Sequence, residues 1–243
     1  MTSAADELQQ ITPVVEDYLK NIYRLAQGNG QVRTVALSEA LNVKPASVTA
    51  MLKTLAELNL VEYKPYYGVT PTHAGTKIAL EVLRHHRLIE LYLVEALGFT
   101  WDEVHEEAEK LEHVISEKLE ARIAAHLGDP TVDPHGDPIP TLDGTLPESS
   151  ALSLADVPKG KEARIVRVSD QQAERLRYVA ELGLVPGATV KVTERAPFEG
   201  PVRIRVGKKT HALDRKLTRT ILVELLLTAR PVTLAGSGAN SVN

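Results

Sequence analysis

Between Asp102 and His126 the chain places His105, Glu109, Glu112 and His113 at spacings of i, i+4, i+7 and i+8. At about 100° per residue, those four fall on one strip of a single helix. Trp101, Val104, Ala108, Leu111, Ile115 and Leu119 form its apolar side, and Glu103, Glu106, Lys110, Glu117 and Lys118 its charged side. The His/Glu strip borders both, where a side chain is half sheltered and can meet a group from another helix. Imidazole with carboxylate suits Mn(II), Fe(II), Co(II) or Zn(II), and a chain without cysteine lacks the strongest pull toward soft metals. A Glu-rich helix is more often simply solvated. The strip gains weight from His85-His86-Arg87-Leu88-Ile89-Glu90 upstream, where His86 and Glu90 stand one turn apart on a helical face. Two helices that each offer His and Glu in this way can enclose a cation.

The elements that must position these groups are legible along the chain. Its 243 residues carry a net charge of −4 and suggest one large domain or two to three small ones. The absence of cysteine excludes a disulfide framework and thiolate chemistry. No cationic-apolar leader opens the chain, and no apolar run approaches the roughly 18 residues of a membrane span, so a soluble cytoplasmic protein without membrane contact is expected.

Residues 1–12 show little periodicity. A helix starts at Thr12-Pro13, with Thr as N-cap and Pro at the first position, and runs with helical spacing to Gly28-Asn29-Gly30. Val35 to Leu41, a turn at Asn42-Val43-Lys44, and Pro45 to Asn59 with Val48, Met51, Leu52, Leu55 and Leu58 inward read as a helix-turn-helix. Leu60 to Lys64 and Gly68 to Thr72 form a β-wing around Pro65-Tyr66-Tyr67. Such a module reads DNA. Ser47, Thr49 and Lys53 on the second helix offer hydrogen bonds and charge to base edges and phosphates, and Arg33, Lys44 and Lys64 add backbone contacts. Pro45, Ala46 and Ala50 are assigned to the same surface. Winged helices also serve as protein-binding adaptors. Asp17, Glu39, Glu57 and Glu62 offset much of the positive charge here, so phosphate attraction should be modest unless a bound cation adds to it.

From His73-Ala74-Gly75 a long helix carries His86 and Glu90 to about Ala96 and Gly98. Gly128-Asp129-Pro130 ends the His/Glu helix, and Asp133-Pro134-His135-Gly136-Asp137-Pro138-Ile139-Pro140 reads as an ordered loop in which His135 is a loop residue, not a ligand. Beyond it the period changes to two over residues 163–168, 189–193, 202–206 and 209–213, which predicts a small β-barrel of four or five strands. Gln171 to Leu182 is a helical insert, Leu217 to Leu227 begins like an element closing the barrel, and Ala235 to Asn243 is a frayed end. The fold class is mainly α with a C-terminal β-barrel. Five segments follow: 1–73 DNA-binding, 74–142 helical with the candidate metal ligands, 143–160 linker, 161–228 β-barrel and 229–243 tail.

This layout, with Tyr18-Leu19-Lys20-Asn21-Ile22-Tyr23, Pro45-Ala46-Ser47-Val48-Thr49, Thr70-Pro71-Thr72-His73-Ala74-Gly75, Arg84 to Glu90, Glu112-His113 and Gly136-Asp137-Pro138-Ile139-Pro140, resembles the diphtheria toxin repressor family of metal-dependent transcriptional regulators. The resemblance covers about residues 12–227, and the C-terminal part resembles the SH3-like domain of longer members, related to ferrous-transport accessory domains. It implies that 74–142 is a dimerisation domain and 161–228 is SH3-like, in a homodimer that binds a palindromic operator on double-stranded DNA when loaded with Mn(II) or Fe(II), and represses metal-uptake genes. Two metal sites per protomer are implied: a primary one of Asp17, Glu109, Glu112 and His113, and an ancillary one of His86, Glu90, His105 and a ligand from the helical insert. Glu174 suits that last place by chemistry, and Gln172 by a gap-free match. Iron-responsive members have Met and Cys where Asp17 and Glu109 stand, so manganese is favoured. Lys20 replaces a Glu of the shorter manganese regulators, which puts a close two-metal cluster in doubt.

The function expected is that of a manganese-sensing repressor. An iron-responsive regulator of the same family is the nearest alternative. A helical di-metal carboxylate enzyme is a third reading, but it needs two Glu-x-x-His pairs that the chain does not supply in that order. On the repressor reading, Asp17→Ala or Glu112→Ala should lower metal-dependent operator binding at least tenfold with the fold intact.

Overall fold

The computed structural model describes residues 11–147 and 150–226, in two compact units. Among the described residues, the first comprises those up to residue 150 together with 167–186, and the second comprises 151–166 and those from 187 to 226. The tail expected at 229–243 lies outside the described residues.

Helix α1 (Pro13–Asn29) starts where the Thr12 side chain accepts from the Val15 N–H at 3.4 Å, and ends at Gly30 with φ 71°. Its buried Val15, Tyr18, Leu19 and Ile22 recur at helical spacing, and they meet Leu37 of α2 (Thr34–Leu41) and Val48, Leu52 and Leu55 of α3 (Pro45–Glu57). The tight turn between α2 and α3 rests on Asn42, left-handed at φ 52°. The wing is β1 (Val61–Lys64) antiparallel to β2 (Gly68–Pro71), with Val32 bridging Val69 as a third rung. Gly68, at φ 137°, lets Val32 approach: a Cβ there would lie 2.7 Å from the Val32 carbonyl oxygen.

Helix α4 (His73–Leu97) is capped by Thr72, whose hydroxyl accepts from the Gly75 N–H at 3.2 Å, and it stops at Gly98. Gly75 lies against the wing: a Cβ on it would stand 2.0 Å from the Leu60 carbonyl oxygen, which already accepts from the Thr72 N–H at 3.0 Å. Backbone cannot yield as a side chain can. Gly75→Ala is therefore expected to destabilise the chain by about 3 kcal/mol, read as a fall of roughly 6–12 °C in melting temperature. An unchanged melt would show that helix and wing can part without cost.

The single helix expected over Asp102 to His126 is two. Helix α5 (Val104–Leu111) gives way to a turn over Glu112–Ile115, and α6 (Glu117–His126) restarts from Ser116, whose hydroxyl accepts from the Leu119 N–H at 3.3 Å. The capping hydroxyl, with Glu117 and Glu120 in the first turn, competes successfully with helix continuation. Val104 and Ala108 are buried as expected, but the break leaves Leu111 and Leu119 exposed.

Helix α7 (Ala173–Glu181), the predicted insert, belongs to this first unit. The Val168 N–H donates to the His135 carbonyl at 2.9 Å, Arg167 pairs with Asp137 at 2.6 Å, and Arg177 with Asp102 at 3.5 Å.

The second unit is a six-stranded sheet in the order β3-β8-β4-β5-β6-β7, not a closed barrel. Its strands are β3 (Leu152–Ser153), β4 (Glu162–Val168), β5 (Thr189–Arg195), β6 (Val202–Val206), β7 (Lys209–Leu213) and β8 (Ile221–Leu225). The alternation seen in sequence is the burial pattern, with Val190, Val192, Val202 and Ile204 inward. Two elements escape a period-two reading because they are too short. Strand β3 lies inside the expected linker, paired through Leu152 with Val223, and α8 (Arg215–Thr220) precedes β8.

Candidate metal centres and DNA-reading surface

Three groups of His, Asp and Glu in the first unit bring ligand atoms within 4.8 Å of one another: Asp17 with Glu112 and His113, His86 with His105 and Glu109, and Glu90 with Asp133 and His135. Candidates expected to form two sites are thus divided among three. Helix α1 supplies Asp17, α4 supplies His86 and Glu90, α5 supplies His105 and Glu109, and the turn after α5 supplies Glu112 and His113.

In the first group, His113 Nε2 lies 3.1 Å from Asp17 Oδ1 and 3.3 Å from Glu112 Oε1. Lys20, 1% exposed, inserts its ammonium beside it, donating to Glu109 Oε1 at 2.8 Å and to Glu112 Oε1, with Asp17 Oδ1 at 3.7 Å. A buried ammonium therefore stands among three carboxylates at this group. Glu109, expected in this group, is turned toward Lys20 and the second group. Glu112 is fully buried, and His86 Nδ1 donates to its Oε2 at 2.5 Å. Burial alone would raise its pKa, but the hydrogen bond and charge of His86 and the charge of Lys20 hold it below the ordinary carboxylate value.

In the second group, His86 Nε2 and His105 Nδ1 are 3.1 Å apart with their rings edge to face, and Glu90 Oε1 is 2.9 Å from the former and 3.3 Å from the latter. Burial would lower His86, yet the Glu90 charge and the hydrogen bonds to Glu112 and Glu90 raise it. Glu90 is driven well below its usual range against its burial by the His86 charge, by hydrogen bonds from His105 and His86, and by the nearby His135 imidazole.

The third group includes His135, which stands in a turn of the Pro/Gly loop as expected, with its side chain directed inward. It is 2% exposed and stacks on Trp101 with ring centroids 5.5 Å apart. A carbonyl can only accept, so His135 Nε2 donates to the Trp101 oxygen at 2.8 Å, which turns Nδ1 toward Glu90 Oε2 at 3.7 Å and Asp133 Oδ1 at 4.0 Å. The loop is shaped by Asp133, which accepts from the His135 and Asp137 N–H groups at 2.8 and 2.9 Å. Burial and the nearby Asp137 and Glu90 charges push Asp133 up to about 7, against the pull of His135 and Arg87. His135 rises to about 9: burial opposes this, but Glu90, facing it at 3.7 Å, and the Asp133 charge prevail. Arg87 Nε also faces Asp133 Oδ2 at 3.8 Å, and the oxygen and imidazole donors of the group are of the kind that a divalent ion takes. The one local signal was the Asp-x-His spacing inside a Pro/Gly loop, whose path periodicity does not describe.

Neither candidate from the insert reaches these groups. Gln172 and Glu174 are exposed, and the Glu174 side chain makes no hydrogen bond or ion pair among the described residues. Gln172 serves as the backbone N-cap of α7, which aims its side chain outward. The buried acid of this segment is Asp170, accepting from the Gln172 N–H at 3.0 Å and from Arg175 at 3.1 Å.

On the reading head, Lys44, Pro45, Ala46, Ser47, Ala50 and Lys53 are exposed along one side of α3, opposite the buried Val48, Leu52 and Leu55, and Arg33 and Lys64 are exposed at the start of α2 and the end of β1. Thr49 is half-buried, its hydroxyl donating to the Pro45 carbonyl at 2.9 Å.

A winged helix-turn-helix joined to a helical body with carboxylate and imidazole clusters is the layout of a metal-dependent DNA-binding regulator. Residues 10–69 match "Iron dependent repressor, N-terminal DNA binding domain", residues 72–141 match "Iron dependent repressor, metal binding and dimerisation domain", and residues 152–225 match "FeoA domain". The iron-dependent repressor IdeR of Mycobacterium leprae is 29% identical over 229 residues, 89% of this chain and 99% of that protein. MntR of Oceanobacillus iheyensis is 36% identical over 105 residues, 43% of this chain and 71% of that one. A solved manganese-dependent transcriptional repressor in complex with manganese is 38% identical, with a TM-score of 0.82 over 87% of this chain and 100% of that chain. The chain belongs to the iron-dependent (diphtheria toxin) repressor family, whose members are metal-dependent DNA-binding transcriptional repressors, not enzymes. No helix among the described residues is long and apolar enough to cross a membrane.

Proposed function

We propose that this chain senses Mn(II), with Fe(II) as the competing ion, and as a homodimer binds a palindromic operator to repress metal-uptake genes. The observation that carries this reading is the meeting of Asp17, on the helix leading into the reading head, with Glu112 and His113 from the middle of the chain, at 3.1 Å between Asp17 Oδ1 and His113 Nε2. Asp17, Glu112 and His113 would hold one ion, His86, His105 and Glu109 a second, and Glu90, Asp133 and His135 offer a further enclosed position. A divalent ion would add positive charge beside these carboxylates. Convergence of α1 with the turn after α5 favours one pose of the reading head over others, a shift of population. In a dimer the two α3 helices must then match major grooves about 34 Å apart. The manganese preference is supported by donors that are all oxygen or imidazole in a chain with no thiol. Self-association is supported by apolar side chains left in solvent around α5 and α6, with Val114 74% and Leu119 52% exposed.

Operator-binding curves for Mn(II), Fe(II) and Zn(II) on one DNA fragment test the proposal. Mn(II) should give the tightest complex, and metal-independent binding, or none with any ion, would overturn it. Thr49→Ala with Lys53→Ala should weaken that complex and lower its salt slope by about 1 through loss of a phosphate contact, at unchanged Mn(II) affinity. Equal slopes would remove α3 from the interface.

A further inference from the structure

We propose that Glu16 is the residue that decides which nitrogen of His113 meets the ion. The proposal rests on the reading that Asp17, Glu112 and His113 hold a cation. His113 Nδ1 lies 2.5 Å from Glu16 Oε2, while Nε2, on the other side of the ring, faces Asp17 Oδ1 at 3.1 Å and Glu112 Oε1 at 3.3 Å. An ionised carboxylate only accepts, so the Glu16 contact keeps a proton on Nδ1. The lone pair of the neutral ring is then on Nε2, aimed between the two ligating carboxylates. Adjacent residues on a helix diverge by about 100°. Glu16 and Asp17 therefore grip the imidazole from two directions, one carboxylate at each nitrogen.

An acidic residue in the first turn of a helix has an ordinary explanation, favourable interaction with the helix dipole. That role leaves the side chain free to point into water. The Glu16 side chain is instead 23% exposed, and the imidazole it meets 10%, in a contact between residues 97 positions apart. Among the described residues it is the only hydrogen bond or ion pair that the Glu16 side chain makes. Glu16 is thus a positioning residue: it fixes the ring, and through the ring the donor atom, without itself joining Asp17 and Glu112 at the cation position. It also ties α1 to the turn after α5 before any ion arrives, so the pose that brings Asp17 into place is partly prepared.

The experiment uses the full chain with histidine labelled in 15N, loaded with 113Cd(II) as a diamagnetic probe, alongside Mn(II) titrations of Glu16→Ala and Glu16→Gln. Wild type should show 113Cd coupling to His113 Nε2 and a slowly exchanging Nδ1–H. Glu16→Ala should lose the Nδ1–H signal and bind Mn(II) roughly 10–100-fold more weakly. Glu16→Gln, whose amide oxygen still accepts, should restore both. Equal losses in the two variants would make Glu16 a direct ligand, and unchanged affinity in both would make it a bystander; either overturns the proposal. Should Glu16→Ala fail to fold, the glutamine variant alone decides, since a positioning role requires its Nδ1–H and affinity to be kept. Absence of any 113Cd coupling at His113 in the wild type would instead remove the underlying metal reading.

Discussion

Replacing Asp17 with alanine is expected to lower Mn(II)-dependent operator affinity at least tenfold, about 1.4 kcal/mol, with little change in the melt of the metal-free chain. The expectation follows from position. Asp17 is the acid on α1 that the first group contains, and its Oδ1 is the group facing His113 Nε2. On the proposed function, the variant removes the reading head's share of the cation's coordination, so that the ion should no longer favour the pose in which α1 meets the turn after α5. The side chain is 37% exposed, and its ion pair with Lys20, at 3.7 Å, is long and partly solvated. Such a pair contributes less than about 1 kcal/mol. The variant therefore separates sensing from folding. Operator affinity at saturating Mn(II), measured beside a thermal melt, checks both halves, and wild-type affinity would show that the switch does not pass through α1.

Glu112→Ala is expected to behave differently, although by sequence the two acids look interchangeable. Glu112 is fully buried, accepts from the Lys20 ammonium and from His86 Nδ1, and its backbone carbonyl accepts from His85 Nδ1 at 3.1 Å. Removing the carboxylate strands the buried Lys20 with Glu109, itself 38% exposed, as its nearest strong partner. Breaking a buried pair by deleting one member costs about 3–5 kcal/mol, because the charge left behind is neither solvated nor matched. The metal-free chain should therefore melt roughly 10 °C lower, in addition to losing Mn(II) affinity. The fold is expected to stay intact at ambient temperature, with less margin than in Asp17→Ala, because Glu112 is buried. A melt within a degree or two of wild type would mean that Lys20 swings out to water, and that the ammonium is a loose lodger in the cluster.

The contrast between these two acids shows where sequence reading succeeds. The winged helix was legible nearly residue by residue because its signals are local: Thr12 and Pro13 at one helix start, Thr72 at another, Gly98 at a stop, and Asn42 in the turn all act within a few positions of themselves. The strands of the sheet were legible for the same reason, since alternate burial of Val190 and Val192 is written into neighbouring residues. The helix of the His/Glu strip was read as continuous because its spacing continued, while the competing signal was a single hydroxyl at Ser116. Helical spacing shows that His105 and Glu109 share a face. It is silent on what stands opposite that face.

By itself the amino-acid sequence determined the kinds of donor available, the absence of thiols, the DNA-reading module and the family, because each depends on residue identity or on order along a short stretch. The tertiary structure alone decided that Glu109 turns to Lys20 and His86, that the loop buries the His135 side chain beside Glu90 and Asp133, that Glu174 stays in solvent, and that the sheet remains open. The reason is that a cation-sized cluster is made by side chains from separate elements. Their convergence is fixed by packing and by hydrogen bonds such as Trp101 with His135 and Glu16 with His113, which link residues 34 and 97 positions apart.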